Sequence, residues 1–574
     1  MGTEPTSNDR RPSPWRRYGP LGAIVAVVVI VGLVVLLTRG GDTASDTADR
    51  EGTGVANGPL TYPEAEAAGT ADSIDWGPNC DTTRGQVAVP LTYAPPCVEP
   101  PAAASPAAGR GNGGATAPGV TADSITVALY QAQPDELQQI FFQDSGSDEG
   151  LSTEAETVRA YVDFFESHYE TWGRKVKVVT VKGSGAPDDE AAAKADAIKV
   201  ATEIGAFASF GGPGQTSAYA DELATRGVLC LGDCMLASSD AFATQNAPDV
   251  WLTFPSTDQA AEHWVRFITR QVADRKAEYA GDEQMQQRTR SFGLVRFDEP
   301  FAGLDESGKL FVRELAREGV DLAAESSYEL DLTRAQENAR TVITKMKAAD
   351  VTTVIFAGDP VTPSFLTKEA TAQDYFPEWI VLGAAYTDTS LFGRQYDQRQ
   401  WAHAFGVSQL PAPVAESADQ LATILTWQTG KPPAAKTFKV LVQAPLIFFT
   451  GIHLAGPELT AETFRNGLFR YPSIPETKPT WLHLSWGEHG IWPGTDWFGS
   501  DDATVIWWNP DATGRDEVGN PGTGMYEYAD RGRRYLPNEW PDRAAAVFDP
   551  ATSVTGFDEV PPDQQPPTYP SPAS

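Results

Sequence analysis

A chain of 574 residues has the length of roughly two to four domains. Its 41% hydrophobic and 21% charged residues are the proportions of a folded globular protein and exclude a chain disordered throughout. The formal net charge is −33 and no Lys/Arg cluster stands outside the first twenty residues, which argues against a nucleic-acid partner and reads as an acidic, solvated surface.

Residues 1–20 form a basic tail, with Arg10, Arg11, Arg16 and Arg17 ahead of the apolar run LGAIVAVVVIVGLVVLL at 21–37. A helix of that length spans about 25 Å, enough to cross a bilayer with local thinning. Arginines before the run, and Asp42, Asp46 and Asp49 after it, put the N-terminus in the cytoplasm and the body outside. The run exceeds the usual signal-peptide core, Thr43-Ala44-Ser45 is a poor cleavage site, and no Cys follows for a lipid anchor. An uncleaved transmembrane signal-anchor over 21–38 is therefore expected in preference to a cleaved signal.

Residues 39–118 are rich in Gly, Ala, Pro, Thr and acid and read as a flexible linker. Inside it, WGPNCDTTRGQVAVPLTYAPPC (76–97) carries Cys80 and Cys97; Cys230 and Cys234 stand further on, in CLGDC. In an exported chain these are disulfide candidates. Three pairings are open to them, with Cys80–Cys97 and Cys230–Cys234 favoured. Their spacing, with no His nearby, does not match zinc ligation, and no metal or other cofactor is expected.

From Gly119 strands and helices alternate. GVTADSITVALY (119–130), KVKVVTV (175–181), AFASF (206–210) and VLCLG (228–232) read as strands. ETVRAYVDFFESHYETWG (156–173), DDEAAAKADAIKVATEIG (188–205) and TSAYADELATRG (216–227) read as the helices between them. Such alternation predicts βαβ units on a parallel sheet, with ligands beyond the carboxyl ends of the strands. Gly211-Gly212-Pro213-Gly214-Gln215-Thr216-Ser217 stands there, a Gly-rich turn feeding a helix N-terminus, where free N–H groups favour an anion. The plainer role for Thr216 and Ser217 is capping that helix.

A second series of similar size follows. VWLTFP (250–255), RSFGLVRFD (290–298), LAAESSYEL (322–330), VTTVIFAGD (351–359) and EWIVLGAAY (378–386) read as strands, with helices over 256–276, 304–319, 332–349 and 363–372. KTFKVLVQAPLIFFTGIHLAG (436–456) is apolar all round but interrupted by Lys436, Lys439, Gln443, Pro445 and His453; it reads as a buried core helix rather than a second membrane span. A further helix is expected over 458–471. Seven of the 15 tryptophans lie between Trp481 and Trp540. WLHLSW (481–486) and TVIWWNP (504–510) read as strands there, and the aromatic cluster as cover for a sheet edge or a lobe interface rather than a sugar site. Residues 546–574, ending PPDQQPPTYPSPAS, read as a disordered Pro-rich tail. The sequence contains no G-x-S-x-G, H-E-x-x-H or P-loop motif, and the six His are scattered; an enzyme is not expected.

The stretches GVTADSITVALY and FGGPGQTSAYADELATRGVLCLG (210–232) resemble the first strand, and the third strand, Ser/Thr ligand loop, helix and fourth strand, of leucine/isoleucine/valine-binding-like solute receptors, the type 1 periplasmic binding proteins. The likeness is strongest over 119–260 and continues by pattern to about 470. It implies a two-lobed α/β fold, each lobe a parallel sheet flanked by helices: 119–253 opening lobe 1, 254–384 opening lobe 2, and 385–545 returning to both with a Trp-rich addition. By this analogy the lobes exchange chain near Phe254 and near Gly383. It also implies a small polar ligand, an amino acid or relative, trapped by hinge closure and passed to an ABC permease. Gln215, Thr216, Ser217 and Asp233 would face its carboxylate, Asp359, Tyr386 and Asp388 its ammonium, and Tyr130 and Gln131 the end of the first strand. Asp233 departs from the pattern, since it would repel a carboxylate. The alternative is a cell-envelope scaffold or sensory protein that kept the fold without transport. Either would be a single-pass membrane protein with an extracytoplasmic body.

Overall fold

A computed structural model describes residues 58–100, 111–133, 150–232, 234–298, 304–329, 331–474 and 476–573. The expected basic tail and membrane anchor, and Asp233, lie outside the described residues.

The first sheet consists of β1 (Ser124–Gln131), β2 (Lys175–Lys182), β3 (Ala208–Phe210), β4 (Leu229–Leu231) and β5 (Val250–Trp251), all parallel, in the order β2-β1-β3-β4-β5. Between its strands run α1 (Gly150–His168), α2 (Glu190–Lys199) and α3 (Ala218–Thr225). On α1 the buried Ala155, Val158, Tyr161, Val162 and Phe165 recur at three- and four-residue spacing, the stripe of a helix laid on a sheet. After β5 the chain passes to the second lobe. The passage is punctuated by a reciprocal cap on α4 (Thr257–Phe267): Gln259 N–H donates to Ser256 Oγ and Ser256 N–H to Gln259 Oε1, each at 2.9 Å.

The second sheet holds β6 (Phe292–Phe297), β7 (Leu322–Tyr328), β8 (Thr353–Ala357), β9 (Glu378–Val381), β10 (Ala404–Ser408), β11 (Ala503–Arg515) and β12 (Pro521–Tyr528) in the order β12-β11-β10-β9-β8-β6-β7, with β13 (Arg534–Tyr535) on β11. Strands β6 to β10 pair in parallel and β11 antiparallel to its neighbours. One face packs on α6 (Ala335–Ala348) and α7 (Thr362–Ala372), the other on α4 and α5 (Leu304–Arg317).

The chain does not return to the first lobe near Gly383. It first adds β10 in parallel beside β9 and crosses only over 409–419. Then α8 (Gln420–Thr429), α9 (Gln443–Ala455) and α10 (Ala461–Phe469) join the core of the first sheet. Every residue of α9 is buried, as expected of a core helix. A third crossing, just before β11, leads back to the second sheet.

Three expectations fail on packing grounds. Residues 58–100 are no linker: Ala65, Trp76 and Cys97 form a small core around the Cys80–Cys97 disulfide, while Val87, Val89, Leu91 and Val98 are buried in the core of the first lobe. Nor is 546–573 disordered, because Val554 pairs with Tyr528 and Phe557 with Val414. WLHLSW (481–486) contributes only an isolated bridge, Leu484 to Ser500. The tryptophans do cover and fill: Trp486 packs in the first core, Trp507 and Trp508 on opposite faces of the second sheet.

Candidate functional site

In the first lobe the strand ends converge on the Gly-rich turn. It is clamped rather than loose. Gly214 forms a parallel bridge with Met235, and Leu236 N–H donates to Gly214 O at 2.9 Å. A Cβ on Gly212 would meet Cys234 O at 2.6 Å, so only glycine lets these two loops approach. The Cys230–Cys234 disulfide fixes the second of them to the end of β4.

Thr216 is buried, and its Oγ1 accepts from Ala218 N–H at 3.1 Å, the capping role. Gln215 and Ser217 are half-buried, and Ser217 makes no cap to α3. Tyr130 is turned inward: its hydroxyl donates to Asp196 at 2.8 Å, and its ring lies 4.8 Å from that of Tyr219. Burial, with the Asp196 carboxylate close by, raises its phenol well above the usual value. Gln131 donates from Nε2 to Leu151 O at 2.5 Å.

In the second lobe Asp359 follows β8, and its carboxylate is fully occupied. Oδ1 accepts from Val361 N–H (2.7 Å) and Thr362 N–H (2.9 Å), starting α7. Oδ2 accepts from Tyr328 OH (2.6 Å) and Thr362 Oγ1 (2.7 Å). A carboxylate with four donors has no lone pair directed at an ammonium, so as placed it is an organiser of the strand ends. Asp388 is also buried; Ser408 Oγ donates to it at 2.5 Å, and burial pushes its carboxyl up to about 6. Tyr386 differs. It is 41% exposed, with a φ of +65° directly after Ala385 at +46°. Left-handed conformation at two successive non-glycine residues costs about 1–3 kcal/mol each and collects at working sites.

The sequence-predicted residues thus divide. Gln215 and Ser217 on one lobe and Tyr386 on the other lie past strand ends with a surface to offer, while Thr216 is buried as a cap. Tyr130, Asp359 and Asp388 serve the interior. Sequence reasoning missed Leu236, the most exposed large apolar side chain among the described residues at 55%. Its signal was its place just past the fourth strand, beside the Gly-rich turn. A cavity of about 130 Å3 lies elsewhere, where the lobes exchange chain, lined by Thr253, Phe254, Leu410, Trp481 and Leu484 among others.

Near that hinge Asp501 gathers a buried polar cluster. Its Oδ2 accepts from His483 Nδ1 (2.9 Å) and Ser485 Oγ (2.7 Å), its Oδ1 from Trp492 Nε1 (2.8 Å). Serine and histidine both donate to one carboxylate instead of acting in series, so the three do not form a nucleophile relay. His483 takes a structural role, holding the Asp501 carboxylate.

The periplasmic binding protein family model matches residues 142–468 of the chain, more than half of it. No curated protein matches in sequence. Solved structures similar to this chain include a type 1 periplasmic binding protein from Bordetella pertussis Tohama I, at 12% identity and TM-score 0.47, covering 70% of this chain and 100% of that one. Another is an ABC-transporter solute binding protein from R. palustris in complex with 4-hydroxybenzoate, at 11% and 0.47, covering 73% and 98%. A third is the branched-chain amino acid transporter substrate binding protein LivJ from Streptococcus pneumoniae in complex with isoleucine, at 12% and 0.46, covering 71% and 100%.

Proposed function

The chain belongs to the periplasmic binding protein family, and from that premise we propose that it is an extracytoplasmic receptor holding a small solute between its lobes, not an enzyme. The observation that carries this reading is that one lobe presents a rigid, Gly-rich turn at its strand ends and the other an exposed, strained Tyr386 in the loop after a strand. An amino acid or a related polar molecule with an apolar part suits them. The α3 N-terminus and Ser217 favour a carboxylate, and Leu236 and Tyr386 offer apolar contact. The run at 21–37 would tether the body to the membrane, and an ABC permease would take the ligand onward. The occupied carboxylate of Asp359 and the burial of Asp388 favour the second reading, a cell-envelope scaffold that kept the fold without a ligand.

A thermal-shift screen of the purified protein against amino acids, small amides, polyamines, sugars and aromatic acids separates the two. A solute at 100 times its Kd should add about 2.7 kcal/mol, a rise of up to several degrees. The joint variant Thr216→Ala/Ser217→Ala should abolish that rise. A cooperative melt unmoved by every compound supports the scaffold.

A further inference from the structure

The chain after Asp549 travels from one lobe to the other. Val554 exchanges both backbone hydrogen bonds with Tyr528 on β12, at 2.7 and 3.1 Å. Phe557 then pairs with the second crossing: its N–H donates to Pro413 O (2.8 Å) and its carbonyl accepts from Ala415 N–H (2.9 Å). Gln564 Oε1 accepts from Thr480 N–H and Oγ1 (3.3 and 2.8 Å), and Asp563 pairs with Lys478 (3.1 Å). The segment holding Lys478 and Thr480 itself leans on the second crossing, through Ala412 N–H to Pro479 O (2.8 Å).

The far end is fixed to the first lobe. Trp427 Nε1, on α8, donates to Tyr569 O (3.0 Å), and Ser571 Oγ returns a bond to Trp427 O (2.6 Å). Tyr569 OH donates to Asp81 Oδ2 (2.8 Å), in the loop closed by Cys80–Cys97. Val560, Gln564 and Pro566 meanwhile line the hinge cavity.

We propose that residues 549–573 are an interlobe strap that sets the angle between the lobes, so that a change of angle and release of the strap are one event. Rotation about three covalent crossings needs only a few backbone torsions. A tie anchored on both sides of those crossings has to break or slide when they turn. The proline-rich stretch PPDQQPP suits such a tie because proline limits the freedom lost on docking. By linkage, any ligand that favours another lobe angle loosens the strap by the factor with which the strap opposes that ligand. The strap itself needs no ligand, and it stands or falls independently of the receptor reading.

The test places spin labels at the exposed Glu190 and Glu337, one per lobe, and measures their separation in the full chain, in Gln564→Ala/Tyr569→Ala, and in a chain ending at Val560. The full chain should give one narrow distance distribution. Both variants should broaden it or move its mean by several ångströms, with amide exchange over 477–482 and on α8 rising tenfold or more. Far-UV circular dichroism and a cooperative melt establish that each variant is folded; should the shortened chain not fold, the double variant decides alone. A folded variant with the distribution and exchange of the full chain overturns the proposal.

Discussion

Replacing Arg534 with alanine should cost about 3–5 kcal/mol, the effect of stranding one partner of a buried ion pair. Both Arg534 and Asp502 are without side-chain exposure, and they meet twice, Nε to Oδ2 at 2.7 Å and Nη2 to Oδ1 at 2.8 Å. The same guanidinium donates to Leu410 O (2.8 Å), Gln409 O (2.9 Å) and Asp502 O (2.9 Å). It therefore joins the second crossing to the third, using the fixed fork of donors that lysine lacks. Arg534→Ala leaves a buried carboxylate and three carbonyls without this donor. Arg534→Met/Asp502→Leu removes the orphan charge and should recover most of the loss, though His483 N–H then forfeits its bond to Asp502. Denaturant titration of the three proteins checks this. Equal losses for the single and double variants would mean that the carbonyl contacts, not the pair, hold the junction.

Much of the fold was legible because the strands and helices of both lobes carry clear periodicity and turn signals. The misses share a physical cause. AFGVS, now β10, reads poorly as a strand because of Gly406, yet a Cβ there would collide with Val381 O on the adjacent strand; the residue that hides the strand is the one its packing needs. Missing β10 in turn misplaced the second crossing. Residues 58–100 and 549–573 look like linker and tail because the first has only a small core of its own around Cys80–Cys97 and the second leans on other parts of the chain. Each buries its few apolar side chains against a distant part of the chain, as Val89 and Leu91 do in the first lobe, and composition cannot report a partner hundreds of residues away. At the site, the positions of strand ends were legible, but side-chain direction was not. Nothing local announces that Asp359 turns back to cap α7 and meet Tyr328, or that Tyr386 turns out.

The second large effect concerns protons. His453 and His263 are buried, and burial lowers each to about 4. Both are held as neutral rings. His453 Nδ1 accepts from Glu170 N–H (2.8 Å) while Nε2 donates to Pro96 O (3.0 Å), joining the 58–100 segment to α9. His263 Nδ1 accepts from Trp540 Nε1 (3.0 Å) while Nε2 donates to Asp501 O (3.1 Å). A folded-state value below the unfolded one means that the unfolded chain takes up protons first on acidification. The contribution is whole above about pH 6.5 and drains away as pH falls toward 4, by about 2 kcal/mol per histidine at pH 5. Buried carboxyls oppose it. Asp249, which burial lifts to about 7, and Asp388, at about 6, favour the folded state more as pH falls, so the pH slope of the whole protein does not isolate the histidines. The difference between two proteins does. His453→Gln keeps an N–H for Pro96 O but cannot ionise, so its stability relative to the parent should rise by about 2 kcal/mol between pH 7 and pH 5. Urea titrations of both proteins at the two pH values measure that difference; a constant gap would mean that His453 titrates alike in the folded and unfolded chain, and a gap of opposite sign that it is protonated in the fold.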